Sequence, residues 1–249
     1  MNNRNRLPSY AFMSPEETQR QVEMTEQGTY DLTPFEKMWR SKQTHLNQRG
    51  YSLRPRYSME WKPSWMGTNI DPLYCEDSIM SMKLNVIDAK DSSGKLVAIK
   101  RLQNKSQEIE IAQFLTSLKH PHNHCVSVID VFPDPDDPAW SFMVMPYLRS
   151  FDNPEFELIG EVVEFVRQML ELKPLRRMDV EIKYYYVDFG LSARFSPGAS
   201  SLVVGNIGRD AEVPERSRTV PYDAYKADIH ALGNVFYKEF QLVSATHPF

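Results

Sequence analysis

What most constrains the fold of this chain is the order in which its apolar patterns change period between residues 84 and 145. Leu84-Asn85-Val86-Ile87 leads into Asp91-Ser92-Ser93-Gly94, a tight-turn composition, and then into Leu96 to Leu102. That predicts a β-hairpin whose second strand carries Lys100. From Ser106 to Leu118 the period becomes helical, with Ile109, Ala112, Leu115 and Leu118 in register. Cys125 to Phe132 returns to strand character through Val126, Val128, Ile129 and Val131. Pro133-Asp134-Pro135-Asp136-Asp137-Pro138 excludes a central strand or a helix interior. Ser141 to Met145 then resumes the sheet. Strand, strand, helix, strand, strand predicts an α+β unit built on mostly antiparallel strands with one helix.

Charge narrows the partners. The chain carries 29 Lys+Arg against 33 Asp+Glu, so it has no electrostatic footprint for nucleic acid or an anionic membrane surface. Its apolar runs are far shorter than a membrane span, and no apolar stretch behind Met1-Asn2-Asn3-Arg4-Asn5-Arg6 reads as a secretory signal. Cys75 and Cys125 lack metal-ligand or redox spacing, which suits a reducing compartment. An intracellular protein, cytoplasmic or nuclear, is expected.

Residues 1–30 are polar and rich in Gln, Glu and Asn, and are expected to be weakly ordered. Residues 31–75 form the next segment. Thr33-Pro34-Phe35-Glu36 is a capping box with proline at the first helical position. Phe35, Met38, Trp39 and Leu46 fall on one face and Gly50 supplies the stop, so an accessory helix is predicted, packing on a neighbouring lobe or binding a partner. Tyr57 to Tyr74, broken by Pro63 and Pro72, is expected to be irregular and anchored by Trp61 and Trp65.

Two strings carry chemistry. Val97-Ala98-Ile99-Lys100 places a lysine on a strand, and Tyr184-Tyr185-Tyr186-Val187 runs into Asp188-Phe189-Gly190. In this order they resemble the phosphate-binding lysine strand and the metal-binding DFG turn of protein kinases. Val213-Pro214-Glu215 resembles the motif that closes the family's activation segment, and Lys226-Ala227-Asp228-Ile229-His230-Ala231-Leu232-Gly233 the helix after it. Leu53-Arg54-Pro55-Arg56-Tyr57 and Asn123-His124-Cys125-Val126 are similar, more narrowly, to kinase-like proteins predicted in mushroom-forming fungi. The resemblance spans roughly residues 50 to 245. It implies ATP and Mg2+ as cofactors. Lys100 and Asp188 would be the catalytic positions, with Asp188 the metal ligand. Val86, Ala98, Lys100, Glu110, Pro146 and Leu148 would line the nucleotide site, Glu110 pairing with Lys100 and Glu108 standing as the alternative. Met145 falls near the gatekeeper position.

Three departures stand beside it. Counting back from Lys100, the family's glycine-rich loop falls on residues 79–86, where its glycine positions hold Ile79, Ser81 and Leu84. Side chains there obstruct the approach of backbone N–H groups to phosphate. No His-Arg-Asp triplet occurs, so the catalytic aspartate and the second metal ligand are missing. Aligning Glu171-Leu172-Lys173-Pro174 with that loop puts glutamate at the base position and Arg176 where asparagine belongs, and shortens the preceding helix marked by Leu158, Val162, Phe165, Val166 and Met169. A deletion spanning the loop accounts for the same spacing. The chain also stops at Phe249, soon after the Asp228 helix, so the later large-lobe helices are expected to be absent and Glu215 to lack its arginine.

His120, His122, His124 and Cys125 invite a zinc reading, but their proline and asparagine neighbours fit a turn. The Pro133–Pro138 segment lacks the ligand spacing of a calcium loop and reads as a solvated turn. The expected architecture is therefore an α+β, protein kinase-like two-lobe fold with an incomplete helical C-terminal lobe: a small lobe over 76–148 and a truncated large lobe over 149–249. The expected function is a Ser/Thr-type protein kinase-family domain with impaired catalysis and weak ATP and Mg2+ binding. The alternative is a pseudokinase acting as a protein-binding module. Its partner is a protein substrate or protein ligand, with no nucleic acid and no membrane.

Overall fold

Four strands in the order β1-β2-β4-β3, all antiparallel, form the main sheet of a mixed α and β chain. They are β1 (Val86–Lys90), β2 (Leu96–Gln103), β3 (Asp130–Pro133) and β4 (Trp140–Pro146). The computed structural model describes residues 7–81, 83–121, 123–157, 159–170, 182–205, 210–214 and 216–246. The chain divides into two units, Met1–Gln103 with Ile129–Leu148, and Asn104–Val128 with Arg149–Phe249.

In the first unit, the β1–β2 hairpin turns through Asp91-Ser92-Ser93-Gly94. The Asp91 carboxylate accepts the Ser93 and Lys95 N–H groups, and Gly94 takes the φ of +81° that a side chain resists. Helix α1 (Pro15–Glu26) precedes helix α2 (Pro34–Gln48), and both begin with a complete capping box. In α2 the Thr33 hydroxyl accepts the Glu36 N–H while the Glu36 carboxylate accepts the Thr33 N–H. The Trp39 and Leu46 stripe of α2 joins Tyr51, Leu53 and Tyr57 over one face of the sheet, on Ile87, Ala89, Val97, Ile99, Phe132, Phe142 and Val144. Each large side chain buried there contributes roughly 1.5–3 kcal/mol. Phe35, read from the sequence as part of this stripe, lies exposed.

One expectation for this unit is corrected and another refined. Residues 15–26, expected to be weakly ordered, form α1, because the Ser14-Pro15-Glu16-Glu17 cap starts a helix that tertiary contacts then hold. Trp65 donates its indole N–H to Thr25, Tyr30 packs edge-on against Trp65, and Phe12 bridges to Ile70. The aspartate-rich segment before β4 is a turn exposed over most of its length, as read from the sequence, but its Asp134 is buried and paired. Lys42 of α2 reaches Asp134 and Asp136, each at 2.6 Å, and Arg101 reaches Asp134 at 2.8 Å while lying over the Trp140 ring.

The second unit holds α3 (Glu108–Ser117), α4 (Ile159–Met169), a two-stranded sheet of β5 (Leu202–Gly205) and β6 (Ser217–Asp223), and α5 (Ala224–Thr246). The α3 segment, placed within residues 76–148 by the sequence, is thus counted here. Phe165 of α4 centres an aromatic cluster with Phe151, Phe156, Tyr184, Phe236 and Phe240 at ring distances of 4.7 to 6.1 Å. The strand expected from Cys125 begins only at Asp130. Upstream, Cys125 and Tyr186 form an isolated parallel bridge instead, with Tyr186 N–H donating to His124 and Val126 N–H to Tyr186. Among the described residues no helix is long and apolar enough to cross a membrane.

Candidate functional site

Register decides which side chains share a face with Lys100. Lys100 pairs with Val86 on one side and Met143 on the other, and Ala98 pairs with Asp88 and Met145. Because paired residues share a face and neighbours alternate, Val86, Ala98, Lys100, Met143 and Met145 line the sheet face opposite the α2 core. Three of the predicted nucleotide-site residues are therefore brought together. Pro146 is not with them: it pairs with Val97 and stands on the α2 face. Leu148, half-buried, follows the end of β4.

Among its described residues, the segment aligned with a phosphate-binding loop forms no strand–turn–strand cradle. A 3-10 turn over Glu76–Ser78 precedes it, and the outer edge of β1 is met instead by Ser52, whose N–H and C=O both bond to Lys90. The backbone of this segment is tied to other parts of the unit. Ile79 C=O accepts from Arg54 Nη1 at 2.8 Å, and Ser81 N–H donates to Glu36 Oε1 at 3.0 Å. Arg54 also meets Asp88 Oδ2 at 3.1 Å.

Glu36 is the centre of this network. Besides Thr33 and Ser81 it accepts from Arg56 Nε at 2.9 Å, Arg56 Nη2 at 3.2 Å and the Tyr57 hydroxyl at 3.3 Å. Arg56 Nη1 donates to Asp77 C=O at 2.7 Å. Both side chains of the Glu36–Arg56 pair are 0 % exposed. Burial pushes the Glu36 carboxyl up, yet the N–H donors of Ser81 and Thr33 and the Arg56 guanidinium outweigh it, and the group is held below its ordinary value.

In the second unit, Asp188 adopts φ 64° and ψ 71°, the one positive-φ non-glycine among the described residues, and leads into a 3-10 turn over Phe189–Leu191. Aspartate tolerates this left-handed conformation better than most side chains. The turn lies against α3: a Cβ on Gly190 would stand 3.0 Å from Glu108 Oε2 and 3.3 Å from Asp188 Oδ1. Arg194 covers the Phe114 ring at 3.8 Å. Glu108 is 4 % exposed, whereas Glu110 is exposed. The α3 glutamate presented to the Asp188 turn is therefore Glu108, on the face set by the buried positions Glu108, Ile111 and Ala112. Glu171, Arg176 and Glu215 lie outside the described residues.

Of the His120–Cys125 segment, Asn123 organises the chain after α3. The Asn123 amide donates to Leu115 C=O at 2.7 Å and Leu118 C=O at 3.0 Å, closing the end of α3, and its oxygen accepts the Cys125 N–H. His124 Nδ1 lies 3.0 Å from Tyr184 C=O, which can only accept, so Nδ1 carries the proton. These residues border a cavity of about 230 Å³ with Leu115, Leu118 and Tyr186. Among the described residues no three His, Cys, Asp or Glu side chains converge to hold a metal ion. His122 lies outside them.

No protein-family model matches the chain, and no curated protein matches it either. Solved structures do give matches. One is a chain in the crystal structure of the yeast RNA Pol II CTD kinase CTDK-1 complex, 22% identical over 34% of this chain and 30% of that chain, with a TM-score of 0.26. The matched region spans about a third of either molecule, and superposition at that level carries no argument.

Proposed function

We propose that this chain is a protein kinase-superfamily domain in which phosphoryl transfer is impaired, and which works as an intracellular protein-binding module. The observation that carries the reading is the Asp188-Phe189-Gly190 turn, with Asp188 left-handed and Gly190 packed against the buried Glu108 of α3. The sheet face shared by Val86, Ala98 and Lys100 is consistent with it. Asp188 offers one carboxylate for Mg2+, and Val86 and Ala98 offer an apolar floor for an adenine. The phosphates of ATP find no such fit: the backbone amide of Ser81 is already engaged by Glu36, and no glycine opens residues 79–86 to a phosphate group. A His-Arg-Asp catalytic loop is absent from the sequence. Removing a positioned general base alone typically costs ~10²–10⁴-fold in rate.

The test is incubation of the purified chain with labelled ATP and a broad peptide mixture, beside a control carrying Lys100→Met and Asp188→Asn. Equal, background incorporation in both supports the impaired reading. Incorporation by the wild-type chain and not by the control overturns it, and Glu171→Gln is then the variant to examine. The protein-binding half of the proposal is supported by apolar side chains left exposed on α5 and β6, Tyr225, Ile229, Tyr237 and Val220.

A further inference from the structure

The misfit between residues 79–85 and a phosphate group has a specific cause, which lies in the accessory helix. A phosphate-binding loop works by offering backbone N–H groups, backed by cations, to an oxyanion. Here an oxyanion of the chain itself occupies that role. Glu36 sits at the third position of α2, where the capping box fixes it by the Thr33 N–H. From there its Oε1 accepts the Ser81 N–H, and both carboxylate oxygens take the fork of Arg56.

The two arginines that meet the segment's surroundings are neutralised in the same way, while Lys83 is exposed. Arg56 is paired with Glu36, and Arg54, which reaches Ile79 C=O, is paired with Asp88. We infer that Glu36 is a built-in anionic ligand of the 79–85 segment, an intramolecular latch that holds the Ser81 amide and excludes polyphosphate from it. A tethered carboxylate acts at an effective concentration in the mM range or above, and its position is fixed by the cap, by Arg56 and by Tyr57 together. That residues 79–85 correspond to a phosphate segment rests on the proposed function; the latch itself rests on the bonds just described.

The test is amide hydrogen exchange on the full chain, with and without Mg·ATP, for wild type, Glu36→Gln and the double variant Glu36→Leu/Arg56→Met. The double variant replaces the buried pair by apolar groups of similar size and keeps the question answerable if an unpaired Arg56 prevents the single variant from folding. Expected for wild type is protection of the Ser81 amide by roughly 10–100-fold, unchanged by Mg·ATP. Expected for the double variant is loss of that protection while the core amides of Ile99 and Val144 keep theirs. Titration with tripolyphosphate should give no binding to wild type below the millimolar range and an affinity at least tenfold higher for folded Glu36→Gln, where the negative charge that pairs Arg56 is gone although the Gln oxygen can still accept the Ser81 N–H.

A Ser81 amide that is unprotected in wild type, or equally protected in the double variant, overturns the latch. Protection of residues 79–85 that rises with Mg·ATP, or a folded Glu36→Gln without the tenfold gain, overturns the exclusion of polyphosphate. A wild-type chain that phosphorylates peptides while Ser81 stays protected defeats the proposed function and leaves the latch standing.

Discussion

Arg56→Met isolates the buried pair on which the first unit depends. Arg56 donates twice to Glu36 and once to Asp77 C=O, and neither side chain of the pair meets water. The variant keeps the volume near that of the aliphatic stem and leaves a buried carboxylate whose remaining donors are the Thr33 and Ser81 N–H groups and the Tyr57 hydroxyl. Breaking a buried pair by removing one partner costs ~3–5 kcal/mol, a large part of the ~5–15 kcal/mol that holds a domain folded. For a unit of this size that is a fall in Tm of roughly 10–20 °C. The readout is selective, because all four tryptophans, Trp39, Trp61, Trp65 and Trp140, lie in the first unit, so intrinsic fluorescence in a urea or thermal titration follows that unit. Adding Glu36→Leu should recover most of the loss, since an apolar pair of similar volume carries no desolvated charge. About 1–2 kcal/mol should remain, from the lost cap at Thr33 and the lost bond to Ser81. A cost for Arg56→Met under about 1 kcal/mol, or a double variant as unstable as the single one, refutes the assignment of Glu36–Arg56 as the organising pair.

Three further outcomes are expected. The carboxyls of Glu36, Asp77 and Asp134 are all held below their ordinary values, burial being outweighed by N–H, hydroxyl or cationic partners. Folded values depressed below unfolded ones give stability that is complete above the unfolded carboxylate range and lost as pH falls through the folded values; tryptophan-monitored denaturation should therefore weaken progressively below about pH 4.5, and a midpoint flat from pH 7 to pH 3 contradicts this. Asn123→Ala removes both bonds that close the end of α3 and should destabilise the second unit by about 1–2 kcal/mol, seen as faster exchange at Leu115 and Leu118, while leaving tryptophan-monitored unfolding unchanged. Gly190→Ala would set a Cβ 3.0 Å from Glu108 Oε2 and 3.3 Å from Asp188 Oδ1, so it should destabilise the second unit by about 1–3 kcal/mol, read as faster amide exchange in α3, and unchanged exchange there rejects the packing of the turn on α3.

The elements legible in the sequence were those written in local chemistry. The Thr33–Glu36 cap, the Asp91–Gly94 turn and the alternation in β2 each needed only neighbouring residues, and the structure forms all three. Helix α1 carries the same capping grammar at Ser14–Glu17, but it lacks an apolar stripe and buries no side chain of its own, so composition pointed the other way. What holds it is remote, the Trp65–Thr25 bond and the Tyr30–Trp65 contact. On α3 apolar spacing alone predicts a face of Ile109, Ala112, Leu115 and Leu118. Glu108, Ile111, Ala112 and Leu115 also follow i, i+3, i+4, i+7 spacing, and the exposure of Leu118 beside the burial of Glu108 and Ile111 marks that second stripe as the inward one. A buried glutamate hides in such a pattern because apolar counting omits it. The early end of the Cys125 strand and the tie between Ser81 and Glu36 depend on partners 61 and 45 residues away, and no local signal announces either.

The proposed closure of residues 79–85 by the Glu36 carboxylate is decided by calorimetric titration of the full chain with Mg·ATP. Each charge-assisted bond that the 79–85 segment cannot offer removes ~1.5–3 kcal/mol of affinity, so no magnesium-dependent binding below the millimolar range is expected. Submicromolar, magnesium-dependent affinity that Lys100→Met and Asp188→Asn abolish would contradict it.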